Sequence, residues 1–123
     1  MHFLFVAFGG AVGAMGRYAI SLLPVRTSFP VLTLLTNVLG AVLIGFITGF
    51  VSEKDAVSPN AVLFWKTGVC GGFTTFSTFS LEAYRLFEQS KYGAGSLYIL
   101  LSTGLCLLGI VLGKRLAMLL TLH

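Results

Sequence analysis

The sequence predicts an all-α membrane protein with four transmembrane helices, the third broken mid-membrane, and a charge pattern suited to an antiparallel homodimer. Three observations predict it. Of 123 residues, 56% are hydrophobic, 15 more are glycine and only 10% are charged, where a soluble domain carries about 25% charged residues. The apolar residues fall into four runs, 3–23, 31–51, 61–87 and 93–113, each long enough for the roughly 20 residues that cross a hydrocarbon core. The third run alone carries a block of glycine and hydroxyl residues at its centre. A mean hydropathy of +0.94 excludes a soluble enzyme, a disordered chain and a disulfide-stapled secreted module. So little sequence lies outside the runs that residues 1–123 are read as one domain.

The first run follows Met1-His2 directly. With no preceding Lys or Arg and no small-residue cleavage site, it is expected to be retained rather than removed as a signal peptide. Pro24 and Pro30 bracket the first loop, because each lacks an amide donor and disfavours helix in the residue before it. Asn37 interrupts the second run. Glu53-Lys54-Asp55 with Pro59 forms the second loop, and Glu88 to Lys91 the third. Loops this short make successive helices antiparallel, so both termini lie on one side.

The cations then divide evenly. Arg17, Arg26, Arg85 and Lys91 stand on one side, and Lys54, Lys66, Lys114 and Arg115 on the other. Orientation follows such charges, so a balanced chain is free to insert both ways. The net charge of +4 comes from single residues at span ends rather than from a patch, and no nucleic-acid partner is expected. Glycines four apart, Gly9 with Gly13, Gly45 with Gly49 and Gly109 with Gly113, allow close helix contact. They are expected to favour oligomerisation. Cys70 and Cys106 lie inside apolar runs and are read as packing residues.

The third run reads Lys66-Thr67-Gly68-Val69-Cys70-Gly71-Gly72 and then Phe73-Thr74-Thr75-Phe76-Ser77-Thr78-Phe79-Ser80. Glycine weakens a helix by about 1 kcal/mol relative to alanine, and Ser and Thr compete for backbone partners. A break is therefore expected at 71–75. Backbone groups freed at mid-membrane depth must be buried in protein, line a cavity or bind an ion. Beyond the break, Phe73, Phe76 and Phe79 recur every third residue beside Thr74, Ser77 and Ser80, giving a phenyl stripe next to a hydroxyl stripe. Phenyl edges carry partial positive charge and suit an anion.

Other spans supply donors. Asn37 has an amide able to donate two hydrogen bonds, and Arg17 lies in the last third of the first run, where a charge costs up to about 3 kcal/mol. Ser102 and Thr103 bring hydroxyls from the fourth run, with Tyr98 one turn earlier. No carboxylate lies in the core of any span; Glu82 is nearest and reads as a surface pair with Arg85. Donors and ring edges without acids suit a small hydrated anion that exchanges water for protein donors.

These residues resemble a known family. Gly9-Gly10 to Gly13-Ala14 with Arg17-Tyr18, Asn37-x-x-Gly40, and above all the stretch from Gly71 to Ser80 look like the Fluc fluoride channels, across all four spans. The resemblance implies a dual-topology antiparallel dimer in the cell (inner) membrane, with two fluoride pores and a structural sodium ion at its centre. It implies passive, fluoride-selective export that protects a microbial cell. Phe76 and Phe79 then resemble the pore phenylalanines, one from each subunit in a given pathway. Asn37 resembles the pore asparagine, with Ser102 the hydroxyl facing it. Ser77, Ser80 and Thr78 resemble a polar track, Arg17 the vestibule arginine and Tyr98 a tyrosine near the pore. Gly71 and Thr74 resemble the break residues whose carbonyls, doubled by the dimer axis, hold sodium. Phe73 stands where leucine or phenylalanine occurs in the family.

Two other classes compete. A small multidrug antiporter also has four spans in a short chain, but it needs a carboxylate in the first span, and 3–23 contains neither Asp nor Glu. A scaffold subunit would use the glycine faces without needing Asn37 or the phenyl and hydroxyl stripes. Enzymatic chemistry is not expected, since both histidines, His2 and His123, lie at the termini and no nucleophile is paired with a base.

Overall fold

The computed structural model describes residues 1–54 and 57–122. Asp55 of the second loop and the terminal His123 lie outside the described residues. Those described form helices and connecting turns, with no strand among them. α1 (His2–Ser21) stops short of Pro24, and α2 (Val31–Glu53) starts immediately after Pro30, so both prolines bound helices as their missing amide requires. The third span is assembled from pieces: α3 (Pro59–Val62), a π-helical segment (Leu63–Cys70) and α4 (Gly71–Phe73) run on from one another, and α5 (Phe76–Glu88) resumes after a break. Ser58 starts it, its side chain accepting from the Asn60 amide at 3.2 Å. α6 (Tyr92–Thr121) is 30 residues long, about 45 Å, and continues past the expected end of the fourth run at 113.

α1, α2 and α6 are each long and apolar enough to cross a membrane; most large apolar side chains of α1 and α6 are exposed, as a lipid solvent allows, while most of those on α2 are half-buried. The chain is a multi-pass membrane protein.

The expected break is present and shorter than predicted. Gly71–Phe73 stays helical, and only Thr74 (φ −82°, ψ 157°) and Thr75 (φ −148°, ψ 114°) are extended. Gly72 serves packing instead, since a methyl there would run into the Gly10 carbonyl.

The glycine pairs make the close helix contacts expected of them, and they make them within the chain. A methyl on Gly113 would strike the Val42 carbonyl, and one on Gly45 the Ile110 backbone, so these glycines bring α2 and α6 together. Gly9 and Gly13 admit the carbonyls of Phe64 and Val69 against α1. All three small faces are thus occupied within the chain, and they give no argument for oligomerisation.

α5 hands over to α6 through Ser90, a residue with φ of 62°. Ser90 donates its amide to Phe87 O at 3.0 Å and Lys91 to Leu86 O at 2.8 Å, the paired bonds of a Schellman C-cap. This turn sets α5 against α6, where Ala83, Leu86 and Tyr98 form a small core with Phe79 and Phe29 packed on it.

Candidate functional site

The break is held by one side chain from another helix. Asn37 on α2 accepts the Thr75 amide at Oδ1 (2.8 Å) and donates from Nδ2 to the Thr75 carbonyl (3.1 Å). It thereby satisfies both backbone groups of one residue, which the break removes from the helical ladder. The Thr75 amide would otherwise continue the helix onto Gly71. Thr74 finishes the first half, its amide (3.0 Å) and hydroxyl (2.8 Å) both donating to Cys70 O. Thr75 then starts the second half as an N-cap, Oγ1 accepting from the Thr78 amide at 3.1 Å and lying 3.3 Å from Ser77 Oγ. Asn37 therefore spends one of its two amide hydrogens on the fold, and the expectation of two donors for an anion is reduced to one.

Two cavities flank this clamp. The larger, about 410 Å³, runs between α2, the third span and α6, and is lined by Asn37, Gly71, Thr74, Phe76, Phe79 and Ser102 among others. No carboxylate lines it. Ser102 Oγ is buried there without a hydrogen-bond partner, a condition that costs about 1–3 kcal/mol unless a ligand or water supplies one. Phe76 is 79% exposed in the single chain and lies 5.6 Å from the Phe79 ring, tilted by 50°. Phe79 leans on Tyr98 at 5.1 Å, and Tyr98 meets Phe29 edge-on at 5.5 Å. Tyr98 is fully buried, and its hydroxyl also lacks a partner.

The smaller cavity, about 250 Å³, holds Arg17 and Thr78 with Tyr18, Thr33, Thr36 and Thr75. Arg17 Nε donates to Gly72 O at 3.2 Å, placing a cation at the C-terminus of the first half-helix, where the helix dipole favours it. Arg17 and Thr78 are thus separated from the phenylalanines by the clamp. Ser77 and Ser80 are exposed on α5 and line neither cavity.

Sequence reasoning missed four participants. Thr75 was legible as a hydroxyl three residues ahead of an amide in need of a cap. Glu82 accepts a hydrogen bond from Thr33 Oγ1 at 2.5 Å, so the reading of a surface pair with Arg85 gives way to an inward contact between α5 and α2. Nothing in the local sequence marks Thr33 as its partner. Lys66, read as a span-end anchor, lines the larger cavity. The π-helical segment that carries it has no signature in the sequence.

Among the described residues no cluster of three His, Cys, Asp or Glu offers a metal site. The break does leave backbone oxygens outside the helical ladder. The Gly71 carbonyl, whose helical partner is diverted to Asn37, and the extended Thr74 are of that kind.

Residues 4–114 match the family described as CrcB-like protein, Camphor Resistance (CrcB). A protein of Ruminiclostridium cellulolyticum named Fluoride-specific ion channel FluC is 49% identical over 115 residues, which span 91% of this chain and 88% of the relative. Proteins bearing the same name in Rhizobium meliloti, 42% identical over 94% of each chain, and in Clostridium perfringens, 43% identical over 93% of this chain and 91% of the relative, are similar over the same extent.

Proposed function

The chain belongs to the CrcB-like family, and from that premise we propose that it is a fluoride channel, an ion channel rather than an enzyme, exporting fluoride passively across the cell membrane. The observation that carries the reading is the larger cavity, where two phenyl rings, the Asn37 amide and the partnerless Ser102 hydroxyl converge without a carboxylate. Fluoride holds its water tightly, and a path that admits it must offer substitutes as that water leaves. A hydroxyl and an amide hydrogen do so directly, and ring edges add partial positive charge without hydration of their own. A carboxylate on this wall would oppose entry in a medium of low dielectric.

In this reading Phe76, Phe79, Asn37 and Ser102 form the pore, Tyr98 backs Phe79, and Arg17 with Thr78 lines an aqueous approach. Ser77 and Ser80 on the exposed face of α5 continue the path. The protein works as an antiparallel homodimer with two pores, supported by the even division of cations and by a pore phenylalanine left open in the single chain. Sodium is the structural ion, held by the Gly71 and Thr74 carbonyls of both subunits. Oxygen ligands suit such a hard cation. Purified protein in liposomes should release fluoride and retain chloride, as read by ion-selective electrodes; equal release of both would defeat the proposal.

A further inference from the structure

The larger cavity has one feature that the pore residues do not require. Lys66 lines it together with Asn37, Phe76 and Ser102. A lysine eight residues before Thr74 lies at most about 12 Å along the helix from the break, since the π-helical part rises less per residue than an α-helix. With the break mid-membrane, that depth is inside a hydrocarbon half-thickness of about 15 Å. A charge at that depth is costly and by default functional.

The π-helical segment Leu63–Cys70 explains how the lysine comes to face the cavity. Hydrogen bonding to the fifth residue on, rather than the fourth, brings residues five apart onto one face. Lys66 is therefore aligned with Gly71, and both line the same wall. A single π-turn inside an α-helical span is uncommon and recurs at functional sites. Ile44 and Ile110 line the cavity as well, and they stand seven and eight residues along α2 and α6 from Asn37 and Ser102. The cavity is thus about 10–12 Å long, with Lys66 and apolar walls at one end and donors and rings at the other. No acidic residue lines it to neutralise the ammonium.

Resting on the fluoride-channel reading above, we propose that Lys66 is an anion-attracting residue of the pathway: the π-turn turns its ammonium into one mouth of the cavity, where it raises the local fluoride concentration ahead of the phenylalanine and hydroxyl stretch. It holds the ion by charge alone and leaves the exchange of water for donors to Asn37 and Ser102. Focused charge of this kind raises association by about 10-fold or more and is screened by salt.

The test measures fluoride efflux from liposomes per folded protein for wild type, Lys66→Met, Lys66→Gln and Lys66→Arg, with ionic strength set by potassium isethionate. Near 15 mM the two neutral variants should pass fluoride about 3- to 10-fold more slowly than wild type, a gap that closes to under about 2-fold near 0.5 M as the Debye length shrinks. Lys66→Arg should stay within about 2-fold of wild type throughout, since charge rather than shape is at work. Neutral variants that match wild type at low ionic strength overturn the inference. A loss equal at both ionic strengths, or shared by Lys66→Arg, overturns it too and makes Lys66 a packing residue. Wild-type protein that passes no fluoride at all defeats the channel reading instead, so the two failures are distinct.

Discussion

Where α2 and α6 lie together, two uninterrupted helices meet through glycines, with Gly45 and Gly113 bringing backbone against backbone. The third span crosses the same bilayer with an interrupted backbone, and at the interruption one asparagine from α2 supplies both partners of Thr75. Only the second of these regions leaves its helix open beside a cavity. At Gly45 and Gly113 the paired helices touch backbone against backbone and leave no room for an opening there. The broken span stops its helix beside a cavity, and the donors that face that cavity, the Asn37 amide and the Ser102 hydroxyl, come from α2 and α6. α2 serves both regions, with Gly45 and Asn37 on one helix.

The largest effect is expected from forcing the paired helices apart. Gly113→Ala places a methyl against the Val42 carbonyl and the Phe46 amide, and neither belongs to a flexible side chain that can swing away. Overpacking of this kind costs about 1–3 kcal/mol, with more expected here because the obstacle is backbone. Thermal unfolding in detergent should show a large fall in midpoint. Gly93→Ala, whose methyl would meet nothing within 4 Å, should be neutral or raise stability slightly, as alanine for glycine does in an open helix position. Equal behaviour of the two variants would refute the backbone-contact account.

Removing the clamp comes next. Asn37→Ala leaves the Thr75 amide and carbonyl without their partners, each worth about 1–3 kcal/mol when buried and unpaired. Asn37→Asp retains an acceptor for the Thr75 amide and loses the donor to its carbonyl, so its stability should fall between wild type and alanine. Fluoride efflux should be low in both, and lowest per folded protein in the aspartate variant, where a negative charge enters the path. An aspartate variant no more stable than alanine would show that the Thr75 amide bond contributes little.

The helices at 2–21 and 31–53 lie close to the apolar runs 3–23 and 31–51, because each makes its bonds locally, and Pro24 and Pro30 flank the ends that face each other. The third span was legible only in part. Glycine propensity placed its interruption at 71–75, whereas the structure confines it to Thr74 and Thr75, because the deciding interaction comes from Asn37, 38 residues away in the chain. The same limit applies to the site. Phe76, Phe79, Asn37 and Ser102 stood out as residue types out of place in an apolar run. Lys66 and Glu82 did not, since a charge near a span end has an ordinary explanation until the helix face is known.

Within the broken span the two phenylalanines separate packing from pore function. Phe76→Ile should reduce fluoride efflux by about 10-fold or more, since an aliphatic side chain lacks the positive ring edge. It should change stability little, as Phe76 is largely exposed in the single chain. Phe79→Ile should reduce efflux similarly and also lose the ring contact with Tyr98, worth about 0.5–1.5 kcal/mol. Wild-type efflux in both variants would mean that bulk alone matters at these positions.

The smallest effect is expected at the turn that joins the two regions. Ser90 stands at the left-handed position of the Schellman cap, with φ of 62°, a conformation that costs an L residue other than glycine about 1 kcal/mol or more. Ser90→Gly removes that cost while keeping the amide bonds from residues 90 and 91 to Phe87 and Leu86. Glycine also gives the unfolded chain more freedom, which offsets part of the gain. The net result should be a rise of a few tenths to about 1 kcal/mol in detergent unfolding. Ser90→Val, with a branched side chain in the same conformation, should lower stability by more than glycine raises it. Because the turn touches neither cavity, fluoride efflux per folded protein should be unchanged in both variants. An altered efflux with intact folding would show that the angle between α5 and α6 is transmitted to Phe79 through Tyr98, and that the two regions are less separate than their packing suggests.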